Sequence, residues 1–437
     1  AKTLSLADAA QISAATASPG NAGFVDVIAD VLRMNGGAVN SFANSSGDAG
    51  LVSVSVNRLE MFGGRIDSSS ESELPNAGRA GNVIVTARSA ALNGPASIDS
   101  EGVAGEAGNV LMMIVDELSL ATNALNQSPI ISASTFGAGN AGIVDVTADR
   151  LNISGGTISS TTTGSGNAGF VAIGARQLAM TGGSITSLTT ASGDAGDVLV
   201  TADNAVLSGD ASINSVARAP ASGAAGRVLI TIAEKLTLAD DGVNISASTA
   251  GPGDAGLILI SADNLEMTGG AITSFTAGAG NAGSVGVVVN QLNLSRGRID
   301  SSTDSAFADA GDAGDVAIAA NSALITGNSS IDSQGFIGNA GNVSLLVVND
   351  LILDNDNIGT PPTIAASALG PGNAGTVRVE ADQLTMRAGT ISSSTRAFAS
   401  GNAGDVNVKA TDLFLSGRAS INSRALLDSS GNAGTVS

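Results

Sequence analysis

The tetrapeptide Gly-x-Ala-Gly recurs in fifteen near-regularly spaced copies along the 437-residue chain, and no other feature constrains the fold as strongly. Successive copies are 27 to 34 residues apart along the whole sequence. A period of this size is typical of proteins whose repeats stack on one another, because one repeat cannot bury its apolar face alone. The sequence therefore predicts one continuous solenoid over residues 1–437. The final glycines of the motif are Gly23, Gly50, Gly81, Gly108, Gly142, Gly169, Gly196, Gly226, Gly256, Gly283, Gly314, Gly341, Gly375, Gly404 and Gly434.

Three short apolar patterns follow the motif in a constant order. The coil that begins after Gly142 shows them as Val144 and Val146, then Leu151 and Ile153, then Ile158. Apolar residues two apart, many of them β-branched, predict strands with one buried face. The predicted fold is therefore all-β: a parallel β-helix of about fifteen coils with three strands per coil. The crossover rule for parallel strands predicts a right-handed helix.

The corners between these strands have their own residue preferences. Several second strands end in Gly-Gly, as at Gly155–Gly156 and Gly182–Gly183, where we expect positive φ. The x position of the motif is Asn in eight copies and Asp in four. Both residues tolerate left-handed backbone geometry, and stacked Asn amides form hydrogen-bonded ladders. We favour a corner turn over a ligand-binding ridge, because one structural role explains every copy.

A longer period of four coils is visible in the spacing between the motif and the third strand. It predicts blocks at about 24–142, 143–256 and 257–375, with a partial block at 376–437. The fourth coil of each block carries an insertion, at residues 121–129, 239–244 and 354–362. A second insertion at 70–79, with Glu71, Glu73 and Leu74, recurs at 305–311 with Phe307 and Asp309. Loops on a rigid scaffold often carry function. Plain duplication gives the same recurrence, so both interpretations stay open.

Composition narrows the possible partners and chemistry. The net charge is −20, which disfavours binding to nucleic acid and to anionic lipid. The longest apolar runs, such as residues 110–115, are too short to cross a bilayer. The chain has neither His nor Cys, which excludes Ser-His and Cys-His nucleophiles and removes the usual zinc ligands. We therefore predict no enzyme activity, no catalytic, cofactor-binding or metal-binding residue, no cofactor, no nucleic-acid partner and no membrane insertion.

Two pairs of aspartates are the strongest candidates for chemistry. Each pair follows the third-strand Ile in adjacent coils and has an arginine nearby. The two sets are Arg65, Asp67 and Asp99, and Arg298, Asp300 and Asp332. Carboxylates stacked ~4.8 Å apart suit acid–base cleavage of a polysaccharide or a divalent-cation site. However, strand alternation turns them outward, and calcium requires about 6–8 oxygen ligands. We therefore favour an exposed face on which solvent screens the carboxylates.

The repeat unit resembles that of a known family of surface proteins. Residues 140–163 read N-A-G-I-V-D-V-T-A-D-R-L-N-I-S-G-G-T-I-S-S-T-T-T. This pattern resembles the repeats of filamentous-haemagglutinin-like exoproteins, most closely the cyanobacterial members, and it covers essentially the whole chain. The resemblance implies a right-handed β-helix shaft, export by a two-partner secretion system, and display at the cell surface as an adhesin or fibre.

The function predicted from these observations is structural. We expect the shaft of an extracellular bacterial surface filament or adhesin, secreted across a Gram-negative-type envelope. The sequence opens and closes in mid-coil, since residues 4–8 match residues 236–240. We therefore expect a longer repeat array or head-to-tail stacking of copies of the chain, with surface polymers or cells as further partners. The alternative is a carbohydrate-binding or polysaccharide-cleaving β-helix that uses one lateral face.

Overall fold

A computed structural model describes residues 1–74, 76–218, 222–305, 310–355, 359–396, 400–426 and 430–437. The chain divides into two compact units. Unit 1 comprises Ala1–Asp203 and Ala211–Gly226, and unit 2 comprises Asn204–Asp210 and Arg227–Ser437. The described residues contain strands and no helix. The fold is a parallel β-solenoid of about fifteen coils, as predicted. Its handedness, its continuity as one unit and the four-coil blocks stay predictions.

Unit 1 contains twelve strands, although the last residues of β11 are grouped with unit 2. They are β1 (Thr3–Thr16), β2 (Val25–Ala43), β3 (Val52–Ser70), β4 (Val83–Gly102), β5 (Val110–Ala121), β6 (Ile130–Thr135), β7 (Val144–Ser154), β8 (Thr157–Thr162), β9 (Val171–Thr181), β10 (Ser184–Thr189), β11 (Val198–Ser208) and β12 (Ser212–Ala217).

Unit 2 contains the remaining strands. They are β13 (Val228–Leu238), β14 (Asn244–Thr249), β15 (Ile258–Met267), β16 (Ala271–Thr276), β17 (Val285–Ser295), β18 (Arg298–Thr303), β19 (Val316–Thr326), β20 (Ser330–Gly335), β21 (Val343–Val347), β22 (Asp350–Asp354), β23 (Thr363–Ala368), β24 (Val377–Met386), β25 (Thr390–Thr395), β26 (Val406–Leu415) and β27 (Ser420–Ala425).

The number of strands per coil differs from the prediction in most coils. In unit 1, β7 contains both the first and the second predicted runs, and β8 is the third. The first two runs are joined where the sheet bends, and in several coils the register shifts at that bend, as between Ile232 and Lys235 of β13. One coil of unit 2 separates all three runs, as β21, β22 and β23. The bend is therefore usually made within a continuous strand.

Identical side chains stack in columns inside each unit, as the sequence predicted. In unit 1, parallel pairing places Val144 beside Val171 and Ile158 beside Ile185, and all four side chains are fully buried. The same positions in unit 2 are paired and buried in the same way. Burial of one such side chain stabilises the fold by ~1.5–3 kcal/mol, so the columns supply a continuous hydrophobic core.

The Gly-x-Ala-Gly corner is held by side-chain hydrogen bonds between coils. Asn140 Oδ1 accepts the backbone N–H of Asn167 at 2.9 Å, and Asn167 Oδ1 accepts that of Asp194 at 2.9 Å. The same contact recurs in unit 2, where Asp254 Oδ1 accepts the N–H of Asn281 at 2.7 Å. The predicted ladder is confirmed. Its acceptors bond backbone amides, and in unit 2 they also accept side-chain amide groups, as between Asn373 Nδ2 and Asn339 Oδ1 at 3.2 Å. The left-handed geometry that Asn and Asp tolerate is not adopted, because the described motif Asn and Asp residues have negative φ. Their side-chain oxygens reach a backbone N–H of the next coil.

The two corner types need glycine for different reasons. At Gly182 and Gly183 φ is +75° and +78°, which confirms the predicted Gly-Gly turns. At the motif, φ is ordinary, but a Cβ on Gly193 would overlap the carbonyl oxygen of Gly166 in the preceding coil. The motif glycines therefore allow the backbones of adjacent coils to approach closely. The Gly-Gly pairs allow the positive φ that their corner of the coil requires.

A buried serine connects the third strand to the motif. Ser160 Oγ donates to the carbonyl of Gly142 at 2.8 Å and accepts the N–H of Gly169 in the next coil at 2.7 Å. This position, two residues after the third-strand Ile, is Ser or Ala in every coil of the sequence. Alanine replaces serine in the fourth coil of each predicted block, at Ala133, Ala247 and Ala366. The serines that make both contacts are Ser41, Ser68, Ser100, Ser160, Ser187, Ser215, Ser274, Ser301, Ser333, Ser393 and Ser423.

Candidate functional site

The aspartate pairs lie on the outer face of the third-strand run. In β3, Ile66 is fully buried, and Ser68 Oγ donates a hydrogen bond to the carbonyl of the motif glycine Gly50. Both side chains therefore point inward. Asp67 lies between them and therefore points to the opposite face. The register places Asp67 directly between Asn40 of β2 and Asp99 of β4. The outward orientation that alternation predicted is correct.

In unit 1, one guanidinium is shared among three carboxyl groups. Arg65 donates to Asp99 Oδ1 from Nη2 at 2.8 Å and from Nε at 3.0 Å. Its Nη2 is 3.4 Å from Glu101 Oε2, and its Nε is 3.4 Å from Asp67 Oδ1. Ser69 donates its hydroxyl to Asp67 Oδ2 at 3.1 Å. The arginine is therefore bound chiefly by Asp99.

Unit 2 repeats the arrangement, but here the arginine is bound by the aspartate on its own strand and not by the one in the next coil. Arg298 Nη2 donates to Asp300 Oδ2 at 2.9 Å, while Arg298 Nε is 3.7 Å from Asp332 Oδ1. Thr273 donates its hydroxyl to Asp300 Oδ1 at 2.6 Å, and Ser302 donates to Asp300 Oδ2 at 2.7 Å. Here the more buried carboxylate, Asp300, accepts hydrogen bonds from three donors. The stacked Asp332 has the longer contact of 3.7 Å with Arg298.

The expectation of a solvent-screened face was wrong. Asp67, Asp99 and Asp300 retain only 1%, 7% and 0% of their accessible surface. Asp332 is part-buried. An aspartate is short, and on this face it is covered by side chains from its own strand and from both paired strands. Alternation along one strand decides the direction of a side chain, whereas the neighbouring coils decide whether water reaches it.

Burial changes the acidity of these groups. It raises the pKa of Asp67 to about 7 against the attraction of Arg65, and the Asp99 carboxylate adds to the rise. It also raises the pKa of Asp332 to about 7, with a further contribution from Asp300. Burial raises the pKa of Asp300 too, although Arg298, Thr273 and Ser302 oppose the shift. Each unit therefore has a carboxyl group that changes its charge near neutral pH.

The geometry suits proton binding better than attack on a polymer. A general acid must come within hydrogen-bond reach of its substrate. Asp67 and Asp300 are covered by their neighbours, so a polysaccharide cannot contact them without rearrangement of this face. Within the described ranges, no group of three or more His, Cys, Asp or Glu residues is arranged to hold a metal ion.

The polar neighbours of the aspartates were missed in the sequence. Ser69 and Ser302 follow the buried aspartate by two residues, while Asn40 and Thr273 occupy its column one coil earlier. A search for polar residues at these two offsets would have found them. Single-strand periodicity did not, because it scores each position as inward or outward and ignores its lateral neighbours.

A shallow recess lies along the bend between the first and second runs. In unit 1 it has a volume of about 530 Å³ and a floor that includes Ala29, Val56 and Ala87. The hydroxyls of Ser55 and Thr86 are 3.0 Å apart on its side. Unit 2 has a recess of about 300 Å³ at the same phase of the coil, with Val347, Ala381 and Ala410 in its floor. Their recurrence at one phase of the coil makes these recesses candidates for surface binding of an extended ligand. Exposed Met113 and Val115 also line the recess of unit 1.

The insertions are partly described. In the loop at 121–129, Asn123 Oδ1 accepts the N–H groups of Leu125 and Gln127 at 2.9 and 3.1 Å. This turn presents Leu125, which is 79% exposed. In the insertion at 70–79, Ser72 is buried and Leu74 is exposed. Phe307 and Asp309 lie outside the described residues.

Comparison with known proteins gives no assignment. No family model, no curated protein and no solved structure matches this chain. Among the described residues, no helix is long and apolar enough to cross a membrane.

Proposed function

We propose that this chain forms the structural shaft of an extracellular bacterial surface filament or adhesin. The observation that carries the proposal is the hydrogen-bonded corner that recurs along each unit. Backbone pairing, the Asn/Asp ladder and the buried serine all connect one coil to the next. An architecture stabilised by stacking can be lengthened by adding coils, which is what a shaft requires. The β-solenoid fold is compatible with this role.

Assembly is part of the proposal. Coils can be added to such a solenoid in two ways, by a longer chain or by head-to-tail stacking of a second copy. Negative-stain images of the purified chain over a range of concentrations test the second route. Filaments that lengthen with concentration support it, and particles of constant size contradict it.

The second candidate function is carbohydrate binding. The recess of unit 2 is lined in part by Glu380, Asp382 and Lys409, whereas that of unit 1 combines a floor of small apolar side chains with the hydroxyls of Ser55 and Thr86. Sugar rings have both apolar faces and hydroxyl groups, so this lining suits a neutral glycan chain. Incubation with a polysaccharide panel separates the candidates: binding without product supports the second candidate, and sustained release of reducing ends contradicts the passive shaft.

A further inference from the structure

The outer face of the third-strand run contains the same imbalance of charge in both units. In unit 1, Asp67, Asp99 and Glu101 surround Arg65, and in unit 2 Asp300 and Asp332 surround Arg298. The paired aspartates are direct neighbours in the sheet register. Two charged carboxylates at ~4.8 Å in a poorly hydrated site repel each other strongly, and one arginine neutralises only one of them.

The hydrogen-bond donors show which carboxyl group carries the uncompensated charge. Asp99 accepts two N–H groups of Arg65, and Asp300 accepts donors from Arg298, Thr273 and Ser302. Donors of this kind favour the charged form of a carboxyl group. The stacked partners of these two aspartates are not stabilised to the same degree. Asp67 Oδ1 and Asp332 Oδ1 are both buried atoms without a hydrogen-bond partner.

In unit 1 a neighbouring acceptor is also unsatisfied. Asn40 is the register partner of Asp67 on β2, and its Oδ1 is buried without a hydrogen-bond partner. Two adjacent acceptors cannot bond each other unless one of them carries a hydrogen. A proton on Asp67 would supply the missing donor on this face. With the amide of Asn40 oriented as it is, a carboxylate at Asp67 leaves Asn40 Oδ1 and Asp67 Oδ1 without a hydrogen bond, which is costly for buried groups.

We propose that each unit contains a proton-binding site formed by a stacked carboxyl pair and one arginine, and that proton uptake at this site strengthens the contact between two adjacent coils. Asp67 is the proton acceptor in unit 1 and Asp332 is the acceptor in unit 2. Asp99 and Asp300 remain the arginine-bound carboxylates. The site is a pH-sensitive element of the solenoid, separate from any binding surface of the shaft.

The charges that face these groups are consistent with this assignment. For Asp67 they are Arg65 on its own strand, Asp99 and Glu101 on β4, and Glu71 in the following segment, while β2 contributes only the neutral Asn40. For Asp332 they are Asp300 and Arg298 on β18, while β23 contributes Ala365. Burial and the neighbouring carboxylates place the pKa of Asp67 and of Asp332 at about 7.

The direction of the effect follows from proton linkage. Both groups have a folded-state pKa near 7, above the ordinary aspartate value of about 3.8. The folded chain therefore binds more protons than the unfolded chain between about pH 4 and pH 7. Stability is lowest above pH 7 and rises as the pH falls from about 8 towards 5. From pH 8.5 to pH 5.5, each of the two groups should lower the unfolding equilibrium constant by about thirtyfold.

The test is urea unfolding of the full chain at pH 8.5 and pH 5.5, with Asp67→Asn and Asp332→Asn as the variants. Asparagine imitates the neutral carboxyl group in size. Each variant should be more stable than the wild type at pH 8.5, and each should lose its own part, about thirtyfold, of the change in the unfolding equilibrium constant between the two pH values. The double variant should lose both parts.

Two controls keep the test decisive. Asp26→Asn removes one exposed carboxylate elsewhere on β2 and should keep the wild-type pH dependence. Potentiometric titration of the native chain between pH 8.5 and 5.5 should show about one proton fewer for each of the two variants, even if a variant is less stable. The proposal is overturned if the native wild-type chain takes up no more protons between pH 8.5 and 5.5 than the double variant does. It is also overturned by unchanged pH dependence in both variants, which would mean that another group, such as the amide of Asn40, already supplies the donor.

Discussion

The buried serine of the third strand offers a sharp test of how the coils are held together. Ser160 Oγ donates to the Gly142 carbonyl at 2.8 Å and accepts the Gly169 N–H at 2.7 Å, and its side chain is fully buried. Ser160→Ala removes one oxygen and leaves both backbone groups without this partner. Because an unsatisfied buried group costs about 1–3 kcal/mol, we expect a loss of about 2–4 kcal/mol in the free energy of unfolding.

The neighbouring residue provides a matched control. Ser159 precedes Ser160 on β8 but lies on the outer face, where it is largely buried by its neighbours. Ser159→Ala makes the same chemical change and should alter the free energy of unfolding by less than about 0.5–1 kcal/mol. Urea denaturation of the full chain measures both variants, and an unchanged slope with denaturant would confirm that stability itself has changed.

Hydrogen exchange locates the effect. The Gly169 amide loses its acceptor in Ser160→Ala, so peptides that contain this amide should exchange faster than in the wild type, and the same peptides should be unchanged in Ser159→Ala. Equal destabilisation by the two substitutions would refute the reasoning. It would mean that the serine is required for its size and not for its two hydrogen bonds.

Two other parts of the coil can be tested in the same assay. Gly193→Ala should destabilise the chain by more than about 3 kcal/mol or prevent folding, because its Cβ would overlap the Gly166 carbonyl. Gly174→Ala, where the nearest atom to a new Cβ is a methyl carbon at 3.5 Å, should be neutral or slightly stabilising. Asn167→Ala should cost about 0.5–1.5 kcal/mol because the next coil's amide loses its acceptor, and Asn167→Asp should retain most of the stability. Comparable losses in the two Asn167 variants would contradict the role of its side-chain oxygen.

Much of the architecture could be predicted because the repeat samples each position many times. A valine at one position is weak evidence for a strand, but valine in nearly every copy identifies a column, as at Val144 and Val171. Gly-Gly pairs at corners indicated positive φ for the same reason. The sequence predicted three strands per coil, whereas in most coils the first two runs form one continuous strand, because the backbone stays extended through the bend between them.

The role of the motif Asn and Asp residues required the tertiary structure. Their backbone preference suggested left-handed geometry, which the described motif residues do not adopt. The decisive contact runs from Asn140 Oδ1 to the amide of Asn167, one coil away, and a local propensity contains no information about that distance. The sequence identified the ladder, and the stacking of coils decided which atoms form it.

The candidate site shows most clearly which features the sequence determined and which depended on the tertiary structure. From the sequence alone it followed that Asp67 and Asp99, like Asp300 and Asp332, stack on one outward face beside an arginine. Only the assembled sheet determined that Asp67 and Asp300 lose almost all contact with water, since their cover comes from side chains of three different strands. Side-chain direction is a property of one strand, whereas hydration and the supply of hydrogen-bond donors are properties of the neighbourhood that three coils create together.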